Sequence, residues 1–459
     1  MAARSLYLPR STSIIYPAIR GQAQKFMTGW SFWIPLGDPS GALGDGPRGF
    51  AAVGRRTEAC ARIEPTLEKF GACMNFGFTE EQGFLRDAVR KFIGDRCPMP
   101  EVRRLMKTRD AHSPELWSAL AEQGSLGLLV PEEHGGAALA WVDFVVLLEE
   151  MGRTLVPSPL VSTALVVMAV REAGSRSQQG HWLPRFADGS AVGALAVLEA
   201  SDVQGADGVG LVALNDGGVD VLRGEKRFVA DVGSADVFVV AYLGGTGIRL
   251  GLVRKDAPGL RVALVPGLDE TKRSGTLVLD GVRIAAEDRL TGADPEATLE
   301  WLLDCGRVAV TAEGLGAAEG ALALTVQYAK DRVQFGSPIG RFQGVKHRLA
   351  DIWVDTESIK SLLYYAAWTI DNRREELPRY ASLAKAYLAD AFTRIGVDCI
   401  QLHGAVGYTI EYDIQLYLKR SKWLRPMFGD GDYHRDRLAR LSMGSESIDP
   451  KWMGAGGTI

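Results

Sequence analysis

The sequence has few cysteines and no long apolar stretch, and each scarcity excludes a class of protein. Five cysteines occur among 459 residues, and no two of them form a C-x-x-C pair. A scattered, odd-numbered set argues against a disulfide framework and against zinc, and it fits a reducing compartment. No apolar run approaches the roughly 20 residues that cross a bilayer. We therefore expect neither a metal site nor a membrane span.

An excess of charge of one sign is also lacking. The net charge is −4, so nucleic acid and anionic membrane surfaces are not expected partners. With 46% hydrophobic and 24% charged residues, the composition is that of a globular protein with two or three domains. We expect a cytoplasmic location.

Residues 1–73 differ from the rest, because no acidic residue precedes Asp38. Serine and glycine are frequent, so we expect a disordered extension. Two interpretations stay open. An arginine-rich, acid-poor start is typical of organellar transit peptides, which would place the protein in the mitochondrial matrix. Alternatively, the start codon is placed too far upstream, and the genuine chain begins near Met74.

Residues 74–188 have the pattern of an N-terminal helical domain. Thr79, with Gln82 three residues later, forms a capping box. Apolar residues then recur at helical spacing, which predicts an amphipathic helix from Glu80 to Asp95. Further helical segments follow and are separated by loops that contain proline and glycine.

The spacing of apolar residues along the chain changes after this domain. Residues 189–290 consist of short β-branched runs separated by turn signals, which predict a compact antiparallel sandwich or barrel. No G-x-G-x-x-G motif lies between a strand and a helix, so we exclude a Rossmann fold. Residues 291–445 return to long apolar helices that predict a four-helix bundle, and 446–459 form a tail. The predicted fold class is therefore α+β: a helical domain, a middle antiparallel β domain and a C-terminal four-helix bundle.

Two of the long helices are joined by residues 328–351, "YAKDRVQFGSPIGRFQGVKHRLAD". Glycines and Pro338 break the helix here, between side chains such as Arg332, Arg341 and Phe335. A turn with positive charge and aromatic rings suits a ligand that has phosphates and a flat ring. A helix–loop–helix corner with a solvated basic face would have the same composition.

The order of residues in this corner is more specific than its composition. "R-x-x-F-G-x-P-I" followed by "Q-x-x-x-H-x-L-A-D" resembles the C-terminal domain of the acyl-CoA dehydrogenases, and "VPEEHGG" and "EEMGR" are similar to phrases of the N-terminal domain of that family. The resemblance covers residues 76–443. It implies an FAD-dependent enzyme that oxidises acyl-CoA and passes electrons to an electron-transfer flavoprotein. It also implies a dimer or tetramer, because FAD crosses a dimer interface in this family.

The resemblance implies where FAD would bind. Phe228, in "GEKRFVADVGSAD", matches the aromatic residue that packs on the isoalloxazine. Arg332 and Phe335 match residues near the pyrophosphate across the dimer, and Gln401 and Gly404 match the adenine end. An ordinary core position stays open for Phe228, and an exposed turn stays open for Gly404.

The resemblance also implies an acyl-CoA site. Asp304 and Arg307, in "LLDCGRVAV", match an acid–x–x–arginine beside the thioester, although an internal ion pair would use the same residues. The loop over the flavin, usually "TEP…GSD", reads "LEASDVQGAD" here. Leu198 therefore stands in place of a threonine that would bind flavin or substrate through its hydroxyl.

At the catalytic base the sequence departs from the family. A carboxylate is the usual base, because burial raises its pKa towards the working pH. The family has a glutamate in a "Y-E-G" turn or just before the arginine of the long helix, and Gly429 and Gly306 stand at these positions. Asp430, the next residue, is our candidate base, and Asp432 is near. Both aspartates are also ordinary turn residues.

This departure leaves three functions open. The first is an acyl-CoA dehydrogenase with Asp430 as base. The second is a partner subunit that shares the fold while a related chain supplies the glutamate; the wording "EYDIQLYLKR…FGD…HR" is similar to a bacterial branch with heteromeric enzymes for bulky acyl groups. The third is a flavin monooxygenase or oxidase, which needs no base for an α proton.

Overall fold

The structure, a computed structural model, describes residues 79–245 and 247–443. The predicted extension over 1–73, the start at Met74 and the tail over 446–459 lie outside the described residues. Within the described ranges helices come first, strands follow and helices return, which confirms the predicted fold class. None of the helices in these ranges is both long enough and apolar enough to cross a membrane.

The first part of the fold is helical. Its first helix, α1 (Glu80–Arg96), begins at the predicted capping box: the Gln82 amide donates to the Thr79 hydroxyl at 3.2 Å, and the Thr79 amide donates to the Gln82 side chain at 3.1 Å. The predicted helix is confirmed. The helices after it are α2 (Met99–Leu105), α3 (Pro114–Glu122), α4 (Trp141–Arg153), α5 (Leu160–Ala173) and α6 (Arg176–Ala187).

The middle part consists of two small sheets. Its strands are β1 (Gly193–Ala196), β2 (Leu214–Asp216), β3 (Val219–Ala230), β4 (Val237–Gly244), β5 (Gly247–Arg254), β6 (Leu260–Val265) and β7 (Ser274–Ile284). One sheet has the order β1-β4-β5 and the other the order β2-β3-β7-β6. Buried side chains such as Phe238, Tyr242 and Leu277 form their shared core.

One strand pair is an exception to the antiparallel arrangement. β1 and β4 run parallel, with Gly193 opposite Val237. Parallel neighbours need a long connection, and here the intervening chain forms β2 and β3 of the other sheet. The remaining pairs of the middle part are antiparallel, as predicted.

The last part contains the predicted bundle and one further helix. The four predicted helices are α7 (Pro295–Asp331), α8 (Gln343–Asn372), α9 (Leu377–His403) and α10 (Ile414–Leu424), and a hairpin of β8 (Val333–Gln334) and β9 (Ser337–Pro338) connects α7 to α8. The additional helix is α11 (Gly431–Met443). The sequence does not predict α11, because "FGDGD" indicates only a turn.

Helix α7 crosses α4 at backbone contact. A Cβ on Gly316 would lie 1.8 Å from the Glu149 carbonyl oxygen, and a Cβ on Gly152 would lie 2.1 Å from the Glu313 carbonyl oxygen. Real Cβ atoms do not approach so closely, so only glycine allows this crossing. The alanine- and glycine-rich composition of α7 is therefore explained by close helix packing.

Candidate active site

The corner between α7 and α8 exposes charged and aromatic side chains. Arg332 is the C-cap residue of α7, and Phe335 lies in the β8–β9 turn with φ +53°. Phe335 is 94% exposed, and its ring meets Phe342 edge-on at a centroid distance of 6.1 Å. A large aromatic residue rarely has a positive φ. Such exposure is typical of a side chain that a ligand or a second subunit covers.

The C-terminal end of α9 lies beside the end of α7. Tyr328 stacks on His403 with ring centroids 4.4 Å apart, and its hydroxyl donates to the His403 carbonyl at 3.3 Å. Gln401 is in the last turn of α9, and Gly404 caps that helix with φ +61°. A Cβ on Gly404 would meet open space. One chain thus brings Gln401 and Gly404 to the end of α7 that carries Arg332.

Phe228 is placed in the β domain, near the end of β3. It is half-exposed and has φ +51°, so it is not an ordinary core residue. The amide of Arg227 donates to the carbonyl of Leu198 at 2.7 Å. Phe228 therefore lies beside the loop that the resemblance places over the flavin.

This loop, residues 198–208, is anchored on both sides. Nζ of the fully buried Lys226 lies 2.5 Å from Oε1 of Glu199. At the other end, the amide of Ala206 donates to Oε1 of Glu300 on α7 at 2.6 Å. The loop therefore connects the β domain to the C-terminal helices.

The residues present fit FAD. Arg332 and Arg341 are exposed guanidinium groups of the kind that bind a pyrophosphate. The space beside Gly336 and Gly404 is open. Because glycine has no Cβ, a phosphate can come close to the backbone at these two positions. The exposed rings of Phe335 and of its neighbours suit the flat parts of the cofactor.

The turn before α11 has an unusual backbone. Phe428 has φ +57° and Gly429 has φ +101°, and a bulky residue with positive φ is strained by about 1–3 kcal/mol. A Cβ on Gly429 would lie 2.3 Å from the ring of Tyr433, and a Cβ on Gly306 would lie 2.8 Å from the ring of Phe428. Both positions at which the family has glutamate are thus covered by aromatic rings.

Asp430 stands at the start of α11. Its Oδ1 accepts a hydrogen bond from the Tyr433 amide at 2.9 Å, so it caps the helix. Gly431, the first residue of α11, follows it. Asp432 is mostly exposed, and its hydrogen bond with Arg435 lowers the pKa of Asp432. Of the two candidate carboxylates, Asp430 is the partly buried one.

Asp304 and Arg307, the predicted substrate-binding pair, form a buried ion pair on α7. Nη1 of Arg307 lies 2.6 Å from Oδ1 of Asp304, and their side chains are 0% and 2% exposed. Arg437 of α11 donates to the same carboxylate at 2.7 Å. Nε of Arg307 donates to the Phe428 carbonyl at 3.2 Å. The internal ion pair that the sequence allowed is present, and it links α7 to α11 and to the turn; contact with substrate stays a prediction.

A series of polar contacts joins this ion pair to the loop over the flavin. Oε2 of Glu300, the residue that holds Ala206, lies 3.6 Å from Nη2 of Arg437. Arg437 in turn binds Asp304. Glu300 and Arg437 therefore connect the loop to the ion pair.

Two buried titratable residues beside the turn are missing from the sequence prediction. Lys385 of α9 donates from Nζ to the carbonyls of Arg425 and Gly429, both at 2.9 Å. Burial, followed by the nearby charge of Arg307, lowers the pKa of Lys385 to about 7. His434 of α11 is fully buried, and its ring lies beside the backbone of Phe428. Burial and then Arg307 lower the pKa of His434 to about 2.

The sequence contains a signal for Lys385 but not for His434. Ala381, Leu388 and Phe392 are buried at helical spacing, and Lys385 lies in the same stripe. A lysine within an apolar stripe predicts a buried amine that needs partners. His434 follows a tyrosine in a polar segment, and nothing in that pattern indicates burial.

Comparisons with known proteins agree with this geometry. The family described as "acyl-CoA dehydrogenase, N-terminal domain" matches residues 79–190, and "acyl-CoA dehydrogenase, C-terminal domain" matches residues 297–443. Among curated relatives, acyl-CoA dehydrogenase IpdE2 of Mycolicibacterium smegmatis is 30% identical over 364 residues. The match covers 79% of this chain and 98% of the relative.

Solved structures have the same fold over nearly their whole length. A Tcur3481-Tcur3483 steroid ACAD is 32% identical with a TM-score of 0.74, over 80% of this chain and 99% of that chain. The ChsE4-ChsE5 complex from Mycobacterium tuberculosis is 26% identical with a TM-score of 0.75, over 82% and 100% of the two chains.

Proposed function

Since the chain belongs to the acyl-CoA dehydrogenase family, we propose that it catalyses FAD-dependent α,β-dehydrogenation of an acyl-CoA thioester. FAD, when bound, accepts the β hydrogen of the acyl group as hydride. The chain supplies the binding surfaces for FAD and thioester and the base that removes the α proton.

Asp430 is the base in this proposal, and the support for it is the way its turn is held. Arg307 binds the Phe428 carbonyl, and Lys385 binds the Gly429 carbonyl. Asp430 therefore follows a backbone that two buried basic side chains hold by hydrogen bonds. A positioned carboxylate in a partly buried site is a suitable general base.

Asp430→Asn tests this role. Asparagine can still cap α11, but it cannot accept the α proton. We expect flavin reduction by acyl-CoA, followed anaerobically as loss of the flavin absorbance band, to slow by about 10²–10⁴-fold. Asp432→Asn, the matched control two residues away, should leave the rate unchanged. Equal rates for both variants would remove Asp430 from the mechanism.

One observation favours a second function, that of a base-lacking partner subunit. Gly306 and Gly429 are both covered by aromatic rings, so neither position accepts a glutamate without rearrangement. In this case a related chain would supply the base. The chain expressed alone would not lose its flavin absorbance with any acyl-CoA, and a co-purified related chain with the glutamate would restore reduction.

The proposal extends to partners. The exposed corner around Phe335 suits a dimer or tetramer in which FAD lies between subunits, either identical or related. The similarity to a steroid ACAD supports a bulky acyl group as substrate. An electron-transfer flavoprotein would be the acceptor, and the cytoplasm would be the location. Steroid side-chain and straight-chain acyl-CoAs, compared in the same anaerobic assay, test the substrate class.

A further inference from the structure

The turn over residues 425–430 needs support from outside itself. Phe428 and Gly429 both have positive φ, and such a backbone persists only where surrounding groups over-determine it. One local bond, from the Gly429 amide to the Pro426 carbonyl at 3.0 Å, closes the turn. The carbonyls of Arg425 and Gly429 point to another element of the fold.

Lys385 of α9 meets both of these carbonyls. Its Nζ lies 2.9 Å from each oxygen, and the residue is 0% exposed. Two other buried lysines, Lys226 and Lys272, each pair with a glutamate. In the part of the chain that the structure describes, Lys385 has no carboxylate within 4.0 Å. Its hydrogen-bond partners are the two ends of the turn.

Keeping an amine in this place is unfavourable. Burial without a carboxylate partner disfavours the charged form. Arg307 of α7 and Arg425 at the start of the turn add positive charge, while Asp390 of α9 and Asp430 oppose it. The lowered pKa of Lys385 agrees with this setting. An apolar residue would fill the same stripe of α9 without that penalty. Packing alone therefore does not explain why residue 385 is a lysine.

We propose that Lys385 is a positioning residue: by binding the carbonyls at both ends of the turn, it fixes the direction in which Asp430 projects towards acyl-CoA. It touches neither substrate nor flavin and acts through the backbone of the turn. The role assigned to Asp430 rests on the proposed function. The holding of the turn does not, and it can be measured without substrate.

Lys385→Met tests the inference, because methionine keeps length and apolar volume but has no donor. Hydrogen exchange of the full-length protein should become faster in residues 425–434 and stay unchanged elsewhere. The rate constant of anaerobic flavin reduction should fall on the order of a hundredfold, as for a misplaced catalytic group, while the KM for acyl-CoA stays constant. Lys422→Met, on the exposed side of α10, is the matched control and should change neither.

A second variant separates positioning from folding. Lys385→Gln keeps a donor on a shorter side chain, and we expect exchange and rate between those of wild type and Lys385→Met. Unchanged exchange over 425–434 in Lys385→Met overturns the inference, and so does loss of the fold in both variants, which would show a purely structural role. If the wild type fails to reduce flavin while Lys385→Met still loosens the turn, the proposed function fails and the holding of the turn stands.

Discussion

The corner at the end of α7 and the turn before α11 differ in how far their surroundings are open to solvent. The corner is open: Phe335 is 94% exposed, and a Cβ on Gly336 or Gly404 would meet nothing. The turn is closed: Arg307 and Lys385 are fully buried around it, and a Cβ on Gly429 would collide with a ring.

The difference shows which half of the site one chain completes. Exposed arginines and aromatic rings gain little from their own chain and bind strongly only when a ligand or another subunit removes water from them. Buried cations with backbone acceptors are already in place before any ligand arrives. We infer that one chain preorganises the base side of the site, whereas the FAD side is the part that the proposed second subunit would complete.

The largest expected difference between the two regions comes from replacing an arginine in each. Arg307→Met removes one of the two arginines that bind the buried Asp304, together with the hydrogen bond to the Phe428 carbonyl. Because Arg437 still pairs with Asp304, we expect the free energy of unfolding to fall by about 1–3 kcal/mol. Arg332→Met, in the exposed corner, should change it by less than about 0.5 kcal/mol and weaken FAD binding instead. Urea unfolding and a flavin titration of both variants measure these effects. Equal destabilisation would show that the corner is also structural.

A smaller effect is expected from acid. The pKa of His434 is lowered from its ordinary value of 6.5 to about 2 by burial and by neighbouring cations. Below pH 6.5 the unfolded chain therefore takes up a proton that the folded chain does not. Between pH 6.5 and 5.5, His434 should therefore reduce the free energy of unfolding by up to about 1.4 kcal/mol.

His434→Leu removes this contribution. The difference in unfolding free energy between variant and wild type should grow in favour of the variant as the pH falls from 6.5. If the difference in unfolding free energy between His434→Leu and wild type did not change with pH, the result would contradict the buried surroundings that we assign to His434.

Sequence patterns predict the fold well because the fold depends on local signals. The capping box at Thr79 and Gln82 fixes the start of α1, and periodic apolar residues mark the long helices. The corner is also predictable, because its arginines and aromatic residues are contiguous in the chain. Its geometry follows from one helix end and one hairpin.

The turn is not predictable in the same way. Lys385, Arg307 and Gly429 are distant in sequence and meet only after α7, α9 and α11 have packed. The positive φ of Phe428 follows from contacts and not from a propensity of phenylalanine. The sequence therefore indicates that a glutamate is missing but not what surrounds its position.

The central claim, that one chain completes the base turn but not the FAD corner, is tested most directly by hydrogen exchange at decreasing protein concentration. We predict that exchange over residues 328–342 becomes faster and that FAD is released as the oligomer dissociates. Exchange over residues 425–434 should stay the same throughout. Faster hydrogen exchange in both segments at once would contradict the account. Slow exchange over residues 328–342 in a monomer that retains FAD would also contradict it.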